Sequence, residues 1–148
     1  ITIIRETMRM VLIPFWATLF DKMNFVLLRM ILNLFFGFGV LLFFITSNPW
    51  VIGLGSALIG AAFAGGSIAW NLWVTKYAPP GKTGAYMSVH VSLTGIRGTI
   101  GPILGYWTVS LIGARNIGIL SFAMMFFATL MLIPEVKYGK KTIPKGKS

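Results

Sequence analysis

GAYMSVHVSLTGIRGTIGPILGYWTVSLIG, Gly84 to Gly113, predicts one unbroken helix whose faces carry four different chemistries. Wound at 100° per residue, His90, Thr94, Arg97 and Gly101 fall in one narrow wedge, and Ser88, Ser92, Thr99 and Tyr106 lie roughly opposite. Gly84, Gly95, Gly98, Pro102 and Gly105 form a smooth strip between them. Only the stripe of Val89, Leu93, Ile96, Ile100, Ile103 and Trp107 is wholly apolar. A helix of about 30 residues with a single lipid-compatible face can span a bilayer, and its other faces must then meet protein or water. Arg97 sits near its middle. A cation at mid-depth costs on the order of 3 kcal/mol on insertion scales, so it is expected to face a bundle interior or a wet cavity, shielded by neighbouring helices. It is either an anion-binding or gating group, or a structural cation held by a carboxylate or a helix end.

Composition agrees with a membrane setting. The chain of 148 residues is 56% hydrophobic and 11% charged, where a soluble domain carries roughly 25% charged residues, and its mean hydropathy is +0.82. The net charge of +10 does not point to nucleic acid, because the lysines lie in connecting segments and the tail and form no basic stripe interleaved with stacking aromatics. With no cysteine, disulfides, thiolate nucleophiles and cysteine-ligated metal are excluded. No metal-ligand cluster, nucleophile and base pair or paired catalytic carboxylates stand out, so neither enzyme activity nor a metal or cofactor is expected. Gly81-Lys82-Thr83 ends like a phosphate-binding loop, but Lys76 stands where that loop needs glycine and no strand precedes it.

Four further spans follow from the same reasoning. Residues 1–20 form the first, closed by the polar turn Asp21-Lys22-Met23-Asn24. At 1.5 Å per residue Arg9 lies about 18 Å from Asp21, beyond the midplane, and Glu6, three residues away, can pair with it. Glu6 is thus either half of a local ion pair or a titratable, substrate-facing acid. Residues 26–46 are apolar almost all round and predict a rim helix, with Asn33 as an interhelical hydrogen-bonding group. Asn48-Pro49 caps the next span, 50–77, which repeats small residues at Gly53, Ala57, Ala61, Gly65 and Ala69 and so predicts a groove for close helix packing. Gly98, Gly101 and Gly105 predict a similar packing strip on span 84–112. Trp70 and Trp73 suit an interfacial belt. A turn at 113–116 leads to the last span, 117–134, which is lipid-facing by composition, and Pro134 ends it.

The resulting fold class is all-α, a polytopic membrane bundle of about five helices over residues 1–136 with a basic tail, 137–148. Lys22, Arg29, Lys76, Lys82 and the tail lysines collect on one side, which places that side and the C-terminus in the cytoplasm, in a plasma (inner) membrane protein. The opening run has no basic n-region or cleavage site, so it is expected to be the interior of a membrane helix in a longer protein and not a signal peptide.

Several stretches resemble one family. Residues 14–22, PFWATLFDK, are similar to the G-x-L-x-D-R turn of the major facilitator superfamily, with Asp21 and Lys22 matching and Ala17 in place of the glycine. Residues 77–86, YAPPGKTGAY, resemble its cytoplasmic turn between the tenth and eleventh helices, and Gly101-Pro102 with Gly105 looks like its eleventh helix. The resemblance implies the eighth to twelfth helices of a secondary transporter, a permease or symporter working by alternating access around a midplane site, with Asp21 and Lys22 in a cytoplasmic gating turn. It also implies that a further, N-terminal transporter half is a required partner, besides the bilayer and a small-molecule substrate. On that reading Arg97, His90, Arg9 and Glu6 are the substrate or coupling candidates: Arg9 and Arg97 favour an organic anion, and His90 permits proton exchange near neutrality. The alternative is a small membrane-embedded subunit or assembly partner without transport activity of its own.

Overall fold

The computed structural model describes residues 1–138, and the basic tail from residue 139 onward lies outside them. Five helices follow one another: α1 (Thr2–Lys22), α2 (Phe25–Ile45), α3 (Pro49–Tyr77), α4 (Thr83–Ile112) and α5 (Ala114–Leu132), with a 3₁₀ turn at Ile133–Tyr138. No strand occurs among the described residues.

Local chemistry sets most boundaries. The Asn24 side chain accepts from the backbone N–H groups of Val26 at 2.8 Å and Leu27 at 3.4 Å, capping α2, and Asn48 caps α3 the same way, accepting from Trp50 at 2.9 Å with Pro49 in the first turn. Gly113, at φ +80°, ends α4, a conformation glycine adopts without steric cost. That one residue turns the chain, so α5 begins at Ala114, earlier than a turn at 113–116 would allow. The chain continues past α5 through Pro134. It forms the 3₁₀ turn, and the Asn24 Nδ2 donates to the Val136 carbonyl at 2.6 Å, tying that turn to the α1–α2 connection.

Packing centres on α3, not on α4. α3 is sandwiched between α1 and α2, and α5 packs on α2, whereas α4 makes only sparse contacts with α3 and α5 and contains no buried residue. The reason is side-chain size: α3 buries Gly55, Gly60, Ala61, Ala64, Gly65 and Ala69 among others, so two neighbours can approach its backbone from different sides. A Cβ at Gly60 would collide with the Arg5 backbone of α1, and one at Gly65 with Leu32 of α2 and Trp16 of α1. Gly55 faces Gly39, where an added Cβ would lie 2.8 Å from the Gly39 carbonyl. Gly53 makes ordinary contact with Ile4 at 3.7 Å. Around these approaches Trp16, Phe20, Leu28, Leu32, Ala64 and Ala69 form the buried core. The strip on α4 behaves differently: a Cβ at Gly98, Gly101 or Gly105 would meet nothing within 4 Å, so those glycines pack against no described part of this chain.

Three helical stretches, Phe25–Ile45, Pro49–Tyr77 and Ala114–Tyr138, are long and apolar enough to cross a membrane. α1 and α4, with 21 and 30 residues, have the length but are more polar. Ile3, Met10, Trp50, Ile103, Leu111 and Met131 are all exposed, a surface that suits lipid and would drive association in water.

One buried cation locks the ends of α1 and α3 together. Lys76 is 3% exposed, donates through Nζ to the Phe20 carbonyl and lies 4.1 Å from the Phe20 ring centroid. It thereby satisfies an otherwise free carbonyl at the last turn of α1, where the helix dipole favours a positive charge. Lys76→Ala removes that hydrogen bond and leaves a void, and is expected to destabilise the protein by about 2 kcal/mol, read as a lower thermal midpoint in detergent.

Candidate functional site: a cationic, aromatic-walled cavity

A hollow of about 720 Å³ lies between α2, α3 and α4, within the roughly 300–1,000 Å³ usual for small-molecule sites. α4 supplies His90, Thr94 and Arg97, three members of the wedge defined by helical periodicity. α3 supplies Trp70, Asn71 and Trp73, and α2 supplies Phe25 and Arg29. A neighbouring hollow of about 470 Å³ shares Arg29, Trp70 and Arg97 and adds Asn33, Phe36 and Phe63. These three shared side chains therefore form the wall common to both.

The wall is held by aromatic contacts. The Arg29 guanidinium lies over the Trp70 indole, 5.7 Å from its centroid, an arrangement in which the ring's negative face attracts the cation. Trp73 meets the His90 imidazole edge-on, with centroids 5.5 Å apart and planes at 79°. This contact joins α3 to the otherwise loosely packed α4. Asn71 also lines the cavity, while its Nδ2 donates to the Ser67 carbonyl one turn back at 2.6 Å.

Arg97 is exposed, contrary to the expectation that neighbouring helices shield it. The cause is the position of α4 at the bundle's edge: the cavity wall screens one side of the guanidinium, and no described residue covers the other. Arg97 takes part in no ion pair among the described residues. No acidic residue lines either hollow.

Arg9 and Glu6 lie apart from this site. On α1, Glu6 accepts from Arg5 Nε at 3.1 Å and pairs with Arg9 at 3.6 Å, with all three side chains partly exposed. The joint pocket of Arg9 and Arg97 suggested by the sequence is not what the fold builds; Arg29 takes Arg9's place beside Arg97. Asp21 and Lys22 end α1 and are exposed. Arg29 escaped the sequence reading because it stands one turn inside an apolar helix, where it counts equally well as a surface cation. Its available signal was the pairing of a lone cation with aromatic residues on the next helix. Among the described residues no group of three or more histidines and acids could hold a metal ion.

A bundle of apolar helices bordered by a more polar one that lines a cavity is the build of a polytopic membrane transporter. The family model for the Major Facilitator Superfamily matches residues 6–148, and the chain belongs to that superfamily. Its members are transporters rather than enzymes. No curated protein and no solved structure gives a significant match.

Proposed function

We propose that the chain forms the eighth to twelfth helices of a secondary transporter that moves an organic anion across the plasma (inner) membrane by alternating access, with its C-terminus in the cytoplasm. The observation that carries this reading is the cavity wall with two guanidinium groups and no carboxylate. Two cations sharing one hollow repel each other, and an anion seated between them relieves that repulsion and satisfies their donors. The exposed face of Arg97 and the bare glycine strip at Gly98, Gly101 and Gly105 support a second transporter half as the structure that closes the site from the other side. Asp21 and Lys22 act in the cytoplasmic turn that gates it.

Within this scheme Arg97 and Arg29 bind the anion and His90 carries the coupling proton. Glu6 and Arg9 belong to a separate ion-paired cluster on α1, which tunes the bundle's electrostatics and does not contact the substrate. Stabilisation of the intact transporter by organic anions, and not by sugars or cations of similar size, is the direct test, since a ligand that binds only the folded state raises its thermal midpoint.

Proton coupling has its own test. His90→Gln keeps a hydrogen-bonding side chain of comparable reach but cannot take up a proton. It is expected to abolish the response of uptake to an imposed pH gradient while leaving anion exchange, which needs no net proton movement, within about threefold of the parent. Equal loss of both activities assigns His90 to binding or structure instead.

A further inference from the structure

The geometry points to an aromatic dianion as the substrate class, with Arg29 as its second charge-binding residue, an inference that rests on the anion reading above. Three observations converge. First, Arg29 and Arg97 both border the same two adjoining hollows. A ligand with one negative charge offsets only one of the two positive charges, even when it bridges both guanidinium groups, and leaves the pair a net cation. A ligand with two anionic groups answers both.

Second, the chain holds only 3 acidic residues, and each is placed elsewhere. Glu6 is engaged by Arg5 and Arg9, Asp21 ends α1, and Glu135 lies in the 3₁₀ turn. Among the described residues, no carboxylate lines the site to neutralise the arginine pair. The arrangement leaves that role to a group from outside these helices, and a diffusible anion is the one that fits a transported substrate.

Third, the surfaces between and beside the arginines are aromatic. Trp70 belongs to both hollows; Phe25 and Trp73 line one, and Phe36 and Phe63 the other. Phe36 and Phe63 already stand edge to face, with centroids 5.7 Å apart at 89°, and Arg29 covers Trp70. A flat ring finds edge-to-face and offset partners here, and the larger volume admits a substituted ring. An aliphatic dianion gains the charge contacts but not these.

The experiment compares four probes on the intact transporter by thermal shift and calorimetry: terephthalate, benzoate, adipate and benzyl alcohol. Terephthalate is expected to bind at least about tenfold more tightly than benzoate or adipate, and benzyl alcohol not at all. Arg29→Gln is expected to weaken terephthalate at least about tenfold while changing benzoate less than about threefold, and Arg29→Lys, which keeps the charge, recovers most of the loss and guards against a folding defect. Adipate or benzoate binding as tightly as terephthalate, or Arg29→Gln weakening benzoate and terephthalate equally, overturns the aromatic dianion and leaves the anion reading standing. Binding of benzyl alcohol with none of the three anions overturns both.

Discussion

Arg97→Ala in the intact transporter is expected to cut organic-anion uptake by about thirtyfold or more while leaving the thermal midpoint within about 2 °C of the parent. The two halves of that expectation rest on different facts. A charge-assisted hydrogen bond contributes about 1.5–3 kcal/mol, roughly 10- to 100-fold in binding, and more where water is scarce. Within this chain, stability is insulated because α4 buries no residue and Arg97 pairs with no acid among the described residues, and a second half that closes over a substrate site does so without needing Arg97 as a packing group. Substitutions at such positions usually fall within about 0.5 kcal/mol. A structural cation behaves in the opposite way: removing it lowers the midpoint and the transport together. Measuring both on one purified preparation separates the two roles, and Arg97→Lys refines the result, since an ammonium keeps the charge but loses the planar, two-pronged donor set.

Gly55→Ala is expected to destabilise the bundle by about 3 kcal/mol, measured as a lower midpoint and increased aggregation in detergent. An added Cβ there would stand 2.8 Å from the Gly39 carbonyl and 3.0 Å from the Phe43 amide nitrogen. Both are backbone atoms, so relief requires α2 and α3 to separate. Gly39→Ala faces the reciprocal obstruction, 2.9 Å from the Gly55 carbonyl and 2.7 Å from Ile59 Cγ1. Because each substitution pushes apart the same two helices, the double variant is expected to be less destabilised than the sum of the singles. Full additivity shows that the two glycines do not share one contact. Gly98→Ala serves as the contrast: within this chain nothing lies within 4 Å of its added methyl, so a loss of stability in the intact transporter reports the second half packing on this strip, and an unchanged midpoint shows that the strip stays bare.

Helical periodicity was enough to gather His90, Thr94 and Arg97 on one wedge, because the angle between residues within a helix is nearly constant. It was not enough to bring in Arg29 and Trp70. Those residues lie on different helices, and their meeting depends on how α2 and α3 are turned relative to α4. Arg29 shows the difficulty well. A long, flexible side chain near the end of a span can reach toward the headgroups or lie across the bundle, and only the position of Trp70 selects the second course. Arg9 shows the converse. Its depth along α1 suggested a share in the anion site, yet its neighbours at Arg5 and Glu6 keep it in a local cluster.

The order of small residues on α3 carries the same lesson. The repeat from Gly53 to Ala69 suggested one groove on one side, but α3 uses two, with Gly60 set against α1 and Gly55 against α2. Both sets are visible as glycine and alanine in the chain. Which neighbour each set receives is not written in their spacing.

The amino-acid sequence by itself determined that this protein is an all-helical membrane bundle, where most of its helices cap and turn, and which superfamily it belongs to, because hydropathy, capping and turn chemistry act between residues close along the chain. Only the tertiary structure decided that α3 is the central helix, that α4 stands at the edge with Arg97 uncovered, and that Arg29 joins Arg97 across an aromatic wall. In lipid the hydrophobic effect does not choose between one apolar helix face and another, so helix neighbours are chosen by the shapes their small and large side chains present to each other in three dimensions.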